Sequence, residues 1–578
     1  MRAKRKSAAM KFLVMGMFAA LAGCGSDGTD GVNGQNGAAQ VVTLQHVGST
    51  ASQGFGVSAA EIVAFDSVGK NILAVNAQSG KLDVFTASNL GASALTQSID
   101  LRAMLVANGK AATAAVGAAN SVSIYGNLAA VAVEANPKTD AGWVVFLNVS
   151  TLAYVNAVQV GALPDMLTFT PDGGSVVVAC EGEPGDYTVD PEGSVEIIRV
   201  SDFSLQRAGF GDFNVGGTRA SELPADVRIY GQIVDAAGLP LRASTVAEDL
   251  EPEYVAVSSD SRTAYVTLQE NNAIAVVDLV SATVSRIFAL GFKDYRLPGN
   301  ELDASDKDGA VNIRNWPVYG MYQPDSIAVY RVNGVDYLVT ANEGDSRADW
   351  GTAQTGGTTD FTGASLNVNM EEFRIKDLPL DPAIFPDAAT LKANAQLGRL
   401  RVSSKLGFNS TTGFFEKLYA YGGRSFAIWN AATGELVFDS GSSIERLTAQ
   451  KYGINFNNTH DENTPDGRSD DKGPEPEGVV LGNINGHTYA FIGLERMGGI
   501  LVYDVSNPFA PVFVQYLNNR DFSKDPALVG AAAGDLGSEG LIFVDAAHSP
   551  SGKPLVMAGN EISGTTAIYQ IDVTLLQQ

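Results

Sequence analysis

The chain has 578 residues, 45% of them hydrophobic, and a formal net charge of -25 at pH 7. A chain of this size can bury a large core, but so negative a protein repels nucleic acids and anionic lipid surfaces. We therefore expect no binding to DNA or RNA.

The first residues have the pattern of a secretory signal. Basic residues between positions 2 and 6 precede an apolar stretch, 12–21, that is too short to span a membrane as a stable helix. The sequence LAGC, which ends at Cys24, resembles the lipobox of bacterial lipoproteins. We predict a signal peptide over residues 1–23 and a lipid on Cys24 that anchors the protein in an outer membrane, facing the periplasm or the cell surface. The alternative is an ordinary signal peptide with a chance cysteine.

Glycine recurs at every third position directly after Cys24, in GSDGTDGVNGQNG. This is the period of collagen, but a few triplets without proline cannot hold a triple helix. We therefore predict a flexible tether over residues 24–41.

From residue 42 to residue 578 the chain is a succession of short strands. The runs, among them NILAVNA, SVVVACE and GILVYDV, are rich in Val, Ile, Tyr and Phe, and turn residues bound most of them. Similar units recur at residues 60–95, 118–160, 163–210, 251–292, 322–350, 398–442, 474–516 and 537–574. Four antiparallel strands per unit favour an all-β fold, a single β-propeller of seven, possibly eight, blades with an insertion near 351–396.

Acidic residues recur at equivalent places in these units. An acid opens one apolar run and a glutamate closes the next, in the pairs Asp165 with Glu181, Glu253 with Glu270, Asp325 with Glu343, Glu477 with Glu495, and Glu539 with Glu561. In a propeller the innermost strand begins, and the second strand ends, at the same mouth of the central channel, because the two strands are antiparallel neighbours. We therefore predict a ring of carboxylates around one mouth.

Such a ring needs positive charge, since like charges raise one another's pKa. A calcium ion, which prefers oxygen ligands, would supply it, with the predicted ligands Glu270, Asp325, Glu343, Glu477, Glu495 and Glu561. Basic side chains are a second source: Arg347 and Arg496 follow two of the glutamates, and Arg424 replaces the glutamate in GGRSFAIW. A purely architectural role, in which each acid accepts N–H groups of the next blade, is also open.

A second candidate calcium site lies in LDASDKDG, with Asp303, Asp306 and Asp308. The D-x-D-G spacing places two carboxylates and a turn glycine as calcium loops do. Ala304 at the first ligand position excludes an EF-hand. A calcium loop and a solvated acidic turn fit the pattern equally.

Signals for other chemistry are weak. The four histidines are not spaced as zinc ligands, and the sequence contains no nucleophile elbow, HExxH or P-loop motif. His460, which Asp461 and Glu462 follow, is a candidate proton donor or metal ligand. The alternative is an ordinary surface histidine in a polar loop.

Several long motifs resemble the choice-of-anchor I family of secreted bacterial propellers. They are ANEGDSR (341–347), GGRSFAIW (422–429), HDENTPDGRSDDKGPEPEGV (460–479) and GLERMGGILVYD (493–504), and the resemblance covers roughly residues 45–575. The family is named for the varied ways in which its members attach to the cell surface, which agrees with a lipid anchor. Its members are often labelled alkaline phosphatase-like and are similar in outline to calcium-dependent propeller phosphatases and phytases.

The resemblance therefore implies a calcium-dependent phosphate-ester hydrolase. Calcium at the channel mouth would bind the substrate phosphate, Arg347, Arg424 or Arg496 would stabilise the transferring phosphoryl group, and His460 would donate a proton. The alternative is a non-catalytic surface binding or adhesion propeller with structural calcium, which predicts the same acids. In either case we expect a monomer whose partners are the membrane, through Cys24, and a small phosphorylated substrate or surface ligand.

Overall fold

The computed structural model describes residues 40–236, 240–347 and 371–576. The predicted signal peptide, Cys24 and nearly all of the predicted tether lie outside these residues, as does the 351–370 part of the predicted insertion.

Seven four-stranded antiparallel sheets make up most of the described chain. The N-terminal strand β1 (Gln40–Ser49) belongs to the last of them. Blade 1 contains β2 (Val63–Asp66), β3 (Asn71–Asn76), β4 (Lys81–Thr86) and β5 (Leu95–Asp100). Blade 2 contains β6 (Val116–Tyr125), β7 (Leu128–Ala135), β8 (Ala141–Asn148) and β9 (Tyr154–Ala162). Blade 3 contains β10 (Pro164–Phe169), β11 (Ser175–Cys180), β12 (Ser194–Arg199) and β13 (Leu205–Gly209).

The second half of the chain builds the other four blades. After the hairpin β14 (Gln232–Val234) and β15 (Pro240–Ala243), blade 4 contains β16 (Pro252–Val257), β17 (Thr263–Leu268), β18 (Ala273–Asp278) and β19 (Thr283–Ala289). Between blades 4 and 5 lie β20 (Phe292–Asp294) and β21 (Tyr319–Met321). Blade 5 begins with β22 (Ile327–Val332) and β23 (Val335–Asn342). After them the chain forms β24 (Glu372–Arg374), β25 (Arg401–Ser403), β26 (Phe408–Asn409), β27 (Phe414–Phe415) and β28 (Tyr419–Ala420).

Blade 5 is completed only after that excursion, by β29 (Ser425–Asn430) and β30 (Leu436–Asp439). Blade 6 contains β31 (Pro476–Ile484), β32 (His487–Leu494), β33 (Ile500–Asp504) and β34 (Val512–Leu517). Blade 7 contains β35 (Ser538–Val544), β36 (Leu555–Asn560), β37 (Thr565–Leu575) and β1. The α-helices are short: α1 (Leu101–Ala107), α2 (Val246–Asp249), α3 (Ala388–Leu391), α4 (Ser443–Tyr452) and α5 (Pro526–Val529).

The sequence of each blade explains its packing. The second strands are continuous apolar runs such as SVVVAC in β11, in which five of six residues are buried, because each blade packs between two neighbours and both of its faces lie in the core. Outer strands are more polar, and β5 is largely exposed. The prediction of an all-β propeller is confirmed.

The grouping into eight units needs one correction. The units at 322–350 and 398–442 contribute to a single sheet of order β22-β23-β29-β30, in which β23 pairs with β29. The chain between them joins a separate five-stranded sheet of order β20-β21-β28-β25-β24, which has its own core around Trp316, Phe373 and Phe415. Within the described part of the predicted insertion, β24 is a strand of this sheet, and residues that follow it, such as Leu380 and Leu391, pack in the same core.

None of the helices among the described residues is both long enough and apolar enough to cross a membrane.

The ring closes through β1, which pairs along β37 from Gln40 opposite Leu575 to Ser49 opposite Ala567. Leu44 of β1 is 1% exposed, whereas Val41 is 48% exposed. We expect Leu44→Ala to lower the free energy of unfolding by about 2–5 kcal/mol through lost burial and a new cavity. Val41→Ala, the matched control on the same strand, should change it by less than about 0.5 kcal/mol. Urea denaturation measures both, and equal effects would contradict the role of β1 in closure.

Candidate functional site

The two acids of each pair lie close together because the start of the innermost strand pairs with the end of the second strand. The residue before the acid pairs with a residue at the end of the second strand in four blades, with partners Pro164 and Cys180, Pro252 and Leu268, Pro476 and Leu494, and Ser538 and Asn560. The pKa of Asp325, in blade 5, is raised by burial and then by Glu343, Asp165 and Glu495. Carboxylates of different blades are therefore close enough to repel one another.

A repeated β-bulge contributes to this placement. In blades 3, 4, 6 and 7 the register shifts directly after the first pair of the innermost strand. The two residues inside the shift begin with the acid, as in Asp165-Met166 and Glu539-Gly540. Bulges commonly re-aim side chains at functional sites. The acids thus occupy positions that leave the regular ladder at the channel mouth.

Glu61 is a ring member that the sequence did not reveal. It stands two residues before the innermost strand of blade 1 and lines the same cavity as Asp165 and Glu539. The signal was weak because no proline precedes Glu61 and because Ala77 follows β3 where other blades have a glutamate. The run Glu61-Ile62-Val63, an acid that opens an apolar strand, was the available clue.

The acids surround a cavity of about 580 Å³. Its acidic lining residues are Glu61, Asp165, Glu181, Glu183, Asp325 and Glu539. No lysine, arginine or histidine of the described chain lines it. Glu183 pairs with Lys138, but the carboxylate of Glu181, a residue that is 8% exposed, has no hydrogen-bond or ion-pair partner among the described residues. Apart from Glu183, the acids that line the cavity thus have no ion pair to a base within the described chain.

Burial makes these carboxylates hard to ionise. Together with neighbouring carboxylates it raises the pKa of Asp165 to about 7, of Glu61 to about 8 and of Glu561 to about 7. The pKa values of five others are raised well above their usual range for the same reasons: Glu181, Glu253, Asp325, Glu477 and Glu539. One buried oxygen each of Glu253 and Glu477 has no hydrogen-bond partner in the part of the chain that the structure describes. A bound cation would relieve this repulsion.

The mouth is different at blades 5 and 6, where the protein supplies its own cations. Lys472 Nζ lies 2.5 Å from Glu343 Oε1, and Arg496 lies 3.0 Å from a carboxylate oxygen of Glu495. Both bases also contact Glu475, which is fully buried. Although burial opposes ionisation, Arg468, Arg496 and Lys472 hold the pKa of Glu475 well below its usual range. The predicted ligands Glu343 and Glu495 are therefore already paired with bases.

His460 is buried at the edge of this cluster, not exposed in a surface loop. It is 6% exposed, and its Nδ1 lies 3.2 Å from Glu495 Oε1. Arg496 Nη1 lies 2.5 Å from its Nε2. Potential ligand atoms of His460, Glu495 and Glu561 lie within 4.8 Å of one another.

Two further groups of this kind occur in the described chain, and they differ in charge. The group of Glu343, Glu475 and Glu495 is filled by the bases named above. The group of Glu61, Glu539 and Glu561 has no ion pair to any base of the described residues. Of these two groups, only Glu61, Glu539 and Glu561 therefore offer three carboxylates that are not already paired with a base of the described chain.

Arg347 and Arg424 are buried away from the cavity. Arg347 is fully buried and binds Asp249 at 2.6 Å and Glu251 at 2.8 Å. Arg424 is 3% exposed, binds Glu445 at 2.7 Å and donates to the backbone carbonyls of three loop residues, Asp303, Ser469 and Asp471. Neither lines the cavity. A guanidinium held by protein partners in this way stabilises loops and leaves few donors for a phosphate.

The carboxylates of the Asp303–Asp308 loop have protein donors of their own. Asp303 accepts the N–H groups of Ser305 and Asn312. Asp306 pairs with Lys307 and Arg399, and Asp308 accepts from Ala310 N and Asn312 Nδ2 at 3.0 Å. None of the three belongs to a group of converging metal ligands among the described residues. This geometry favours the acidic-turn alternative.

Comparisons with known proteins agree with the motifs. The family model of the choice-of-anchor I domain matches residues 61–508, more than half of the chain. Gigasin-3a of Magallana gigas is 28% identical over 191 residues, which are 32% of this chain and 67% of that protein. The mesenchyme-specific cell surface glycoprotein of Strongylocentrotus purpuratus is 30% identical over 285 residues, which are 45% of this chain but only 36% of that protein.

Solved structures are similar only in outline. Hydrazine synthase of Kuenenia stuttgartiensis superposes with a TM-score of 0.40 at 12% identity and covers 90% of this chain and 96% of its own. The Cps50 (Swd1) beta-propeller domain of Myceliophteria thermophila has a TM-score of 0.39 at 6% identity, with 93% and 100% covered.

The raised pKa values predict a pH-dependent stability. A carboxyl whose pKa is higher in the folded protein stabilises the fold fully below its unfolded pKa, and this contribution is lost as pH rises through the folded pKa. The window runs from the usual values, 3.8 and 4.5, to about 7 for Asp165 and about 8 for Glu61. Without divalent cations, we expect urea denaturation to give a free energy of unfolding several kcal/mol lower at about pH 8.5 than at about pH 5.

A variant separates this effect from general titration. Asp165→Asn removes one ionising group and should flatten the loss of stability between the two pH values. An unchanged pH dependence in Asp165→Asn would show that the cavity carboxyls do not cause it.

Proposed function

The chain belongs to the choice-of-anchor I family, as its motifs predict, and we propose that it is a surface-anchored, non-catalytic binding propeller whose acidic channel mouth takes up cations. Family membership indicates a secreted or surface-anchored protein. The observation that carries the proposal is the cavity of about 580 Å³, which is lined by six acids and no base among the described residues.

Calcium is the proposed resident ion, and the residues fit it at one place. Glu61, Glu539 and Glu561 offer oxygen atoms within 4.8 Å of one another. Oxygen ligands, and carboxylates above all, are what calcium prefers. Glu61 belongs to blade 1 and the other two to blade 7, so an ion held here would tie the first blade to the last.

The anchor completes the proposal. Cys24 in LAGC would carry the lipid of an outer-membrane lipoprotein, with the propeller facing the periplasm or the cell surface. The relative from Strongylocentrotus purpuratus is named a cell surface glycoprotein, which supports a role at a surface. The net charge of -25 opposes contact with nucleic acid.

One observation favours a second candidate, calcium-dependent phosphate-ester hydrolysis. His460, Glu495 and Glu561 converge beside Arg496, so a titratable group, carboxylates and a guanidinium meet at one point. Calcium bound there would polarise the phosphate ester, while His460 would hold the proton for the leaving group and Arg496 would contact the phosphate. The existing ion pairs of Arg496 with Glu475 and Glu495 weigh against this function.

Calcium binding tests the first function. Isothermal titration of the chelator-treated protein should show calcium binding, and bound calcium should raise the melting temperature. Glu539→Gln should weaken calcium affinity by at least about tenfold, because it removes one of three carboxylate ligands. Glu435→Gln, at an exposed position outside the described metal-ligand groups, is the matched control and should bind as the wild type does. Absence of a calcium-dependent heat and melting shift would remove calcium from the proposal.

Hydrolysis assays separate the two functions. With p-nitrophenyl phosphate and bis-p-nitrophenyl phosphate, a binding propeller should release no nitrophenol with calcium or with chelator. Calcium-dependent release that His460→Gln reduces by about a hundredfold or more would overturn the non-catalytic function in favour of the second. Release that survives His460→Gln would place the activity elsewhere in the protein or in a contaminant.

A further inference from the structure

We propose that the acid-lined cavity binds a small organic cation with two or more amino groups on a flexible apolar spacer, of the linear polyamine kind. This inference rests on the proposed uptake of cations at the channel mouth and names the ligand class that the cavity itself would select.

The spread of the negative charges argues for separated positive charges. Asp165 and Glu181 belong to blade 3, Asp325 to blade 5 and Glu539 to blade 7, yet all four line one cavity. Within the described residues, Asp165, Glu181 and Asp325 belong to none of the groups whose atoms could converge on one metal ion. A single ion near Glu539 therefore leaves their charges uncompensated, whereas a ligand with amino groups at both ends can pair with carboxylates of different blades.

Glu181 supplies an independent sign of a missing partner. Its side chain lines the cavity and has no hydrogen-bond or ion-pair partner among the described residues, although the residue is only 8% exposed. A buried carboxylate without partners is costly, and proteins ordinarily pair such groups. An ammonium group is a compact cation with three donors, so it could satisfy both oxygens of Glu181 and a neighbouring carboxylate together.

The remaining walls suit the methylene spacers of such a ligand. Ile62, Leu163 and Met166 contribute apolar surface, and Tyr254 contributes an aromatic ring that can attract an ammonium group. The volume of about 580 Å³ falls in the range of small-molecule sites and far exceeds the space of one coordinated ion. Acids at intervals around partly apolar walls match amino groups at intervals along a hydrocarbon chain.

Spermidine and spermine are the probes, with butylamine as a single-charge control. Isothermal titration of the full chain, freed of divalent cations, should show saturable binding of one spermidine at least about tenfold tighter than butylamine. Glu181→Gln and Asp165→Asn should each weaken spermidine binding by about tenfold or more, since each removes a wall carboxylate. Glu435→Gln removes one negative charge, as the other two variants do, but Glu435 lies outside the cavity lining. This variant should therefore bind spermidine as the wild type does.

The outcomes distinguish this inference from the function on which it rests. Calcium binding without spermidine binding overturns the inference and leaves cation uptake standing, whereas failure of both removes both. Spermidine binding that is unsaturable, that Glu435→Gln weakens equally, or that butylamine matches would be non-specific attraction to an acidic protein and would also overturn it. Unchanged circular dichroism of Glu181→Gln and Asp165→Asn shows that the variants are folded.

Discussion

Repulsion between buried carboxylates is the constraint on which the organisation of this propeller depends. Each blade repeats one arrangement, an innermost strand that begins beside the end of the second strand, and in four blades a bulge sets an acid at that point. Stacking the blades in a ring then gathers charges that no single blade would bring together. The protein meets this repulsion in two ways, and the difference divides the mouth into two regions.

At blades 5 and 6 the positive charge is built into the chain. Lys472, Arg468 and Arg496 come from the loop and strand end around blade 6 and converge on Glu475, which is fully buried. The cavity, whose acids come from blades 1, 3, 5 and 7, has no base among its described lining residues. In the first region the acids are already paired with bases of the chain, so its charge is fixed. In the second region the acids can still gain or lose a cation or a proton. That asymmetry, more than the number of acids, distinguishes the structural region from the proposed ligand site.

The sequence predicted the propeller and most of the acids because both follow from repetition. A carboxylate such as Asp165 can be placed once its strand and its neighbour are known. Other features depend on contacts between distant segments and left no local pattern: Arg347 follows Glu343 closely in sequence but reaches Asp249 and Glu251 instead. Glu61 was missed because its blade lacks the second acid, and the division of blade 5 was missed because a separate sheet interrupts it. Repeats reveal what blades share, whereas ion pairs across loops require the folded chain.

The closing strand has a consequence for how this protein is made. Among the described strands, β1 is the first to leave the ribosome and its partner β37 is the last, so the ring cannot close until β37 has been made. The entropy lost when such distant segments pair grows only slowly with the length of chain between them, so the cost in stability is modest. Contacts between residues far apart in sequence nevertheless slow folding. Until then the edge of β1 remains open to pairing with other chains. A nascent chain that ends at residue 564 contains every strand of blades 1–6, but it lacks β37, on which β1 closes the ring.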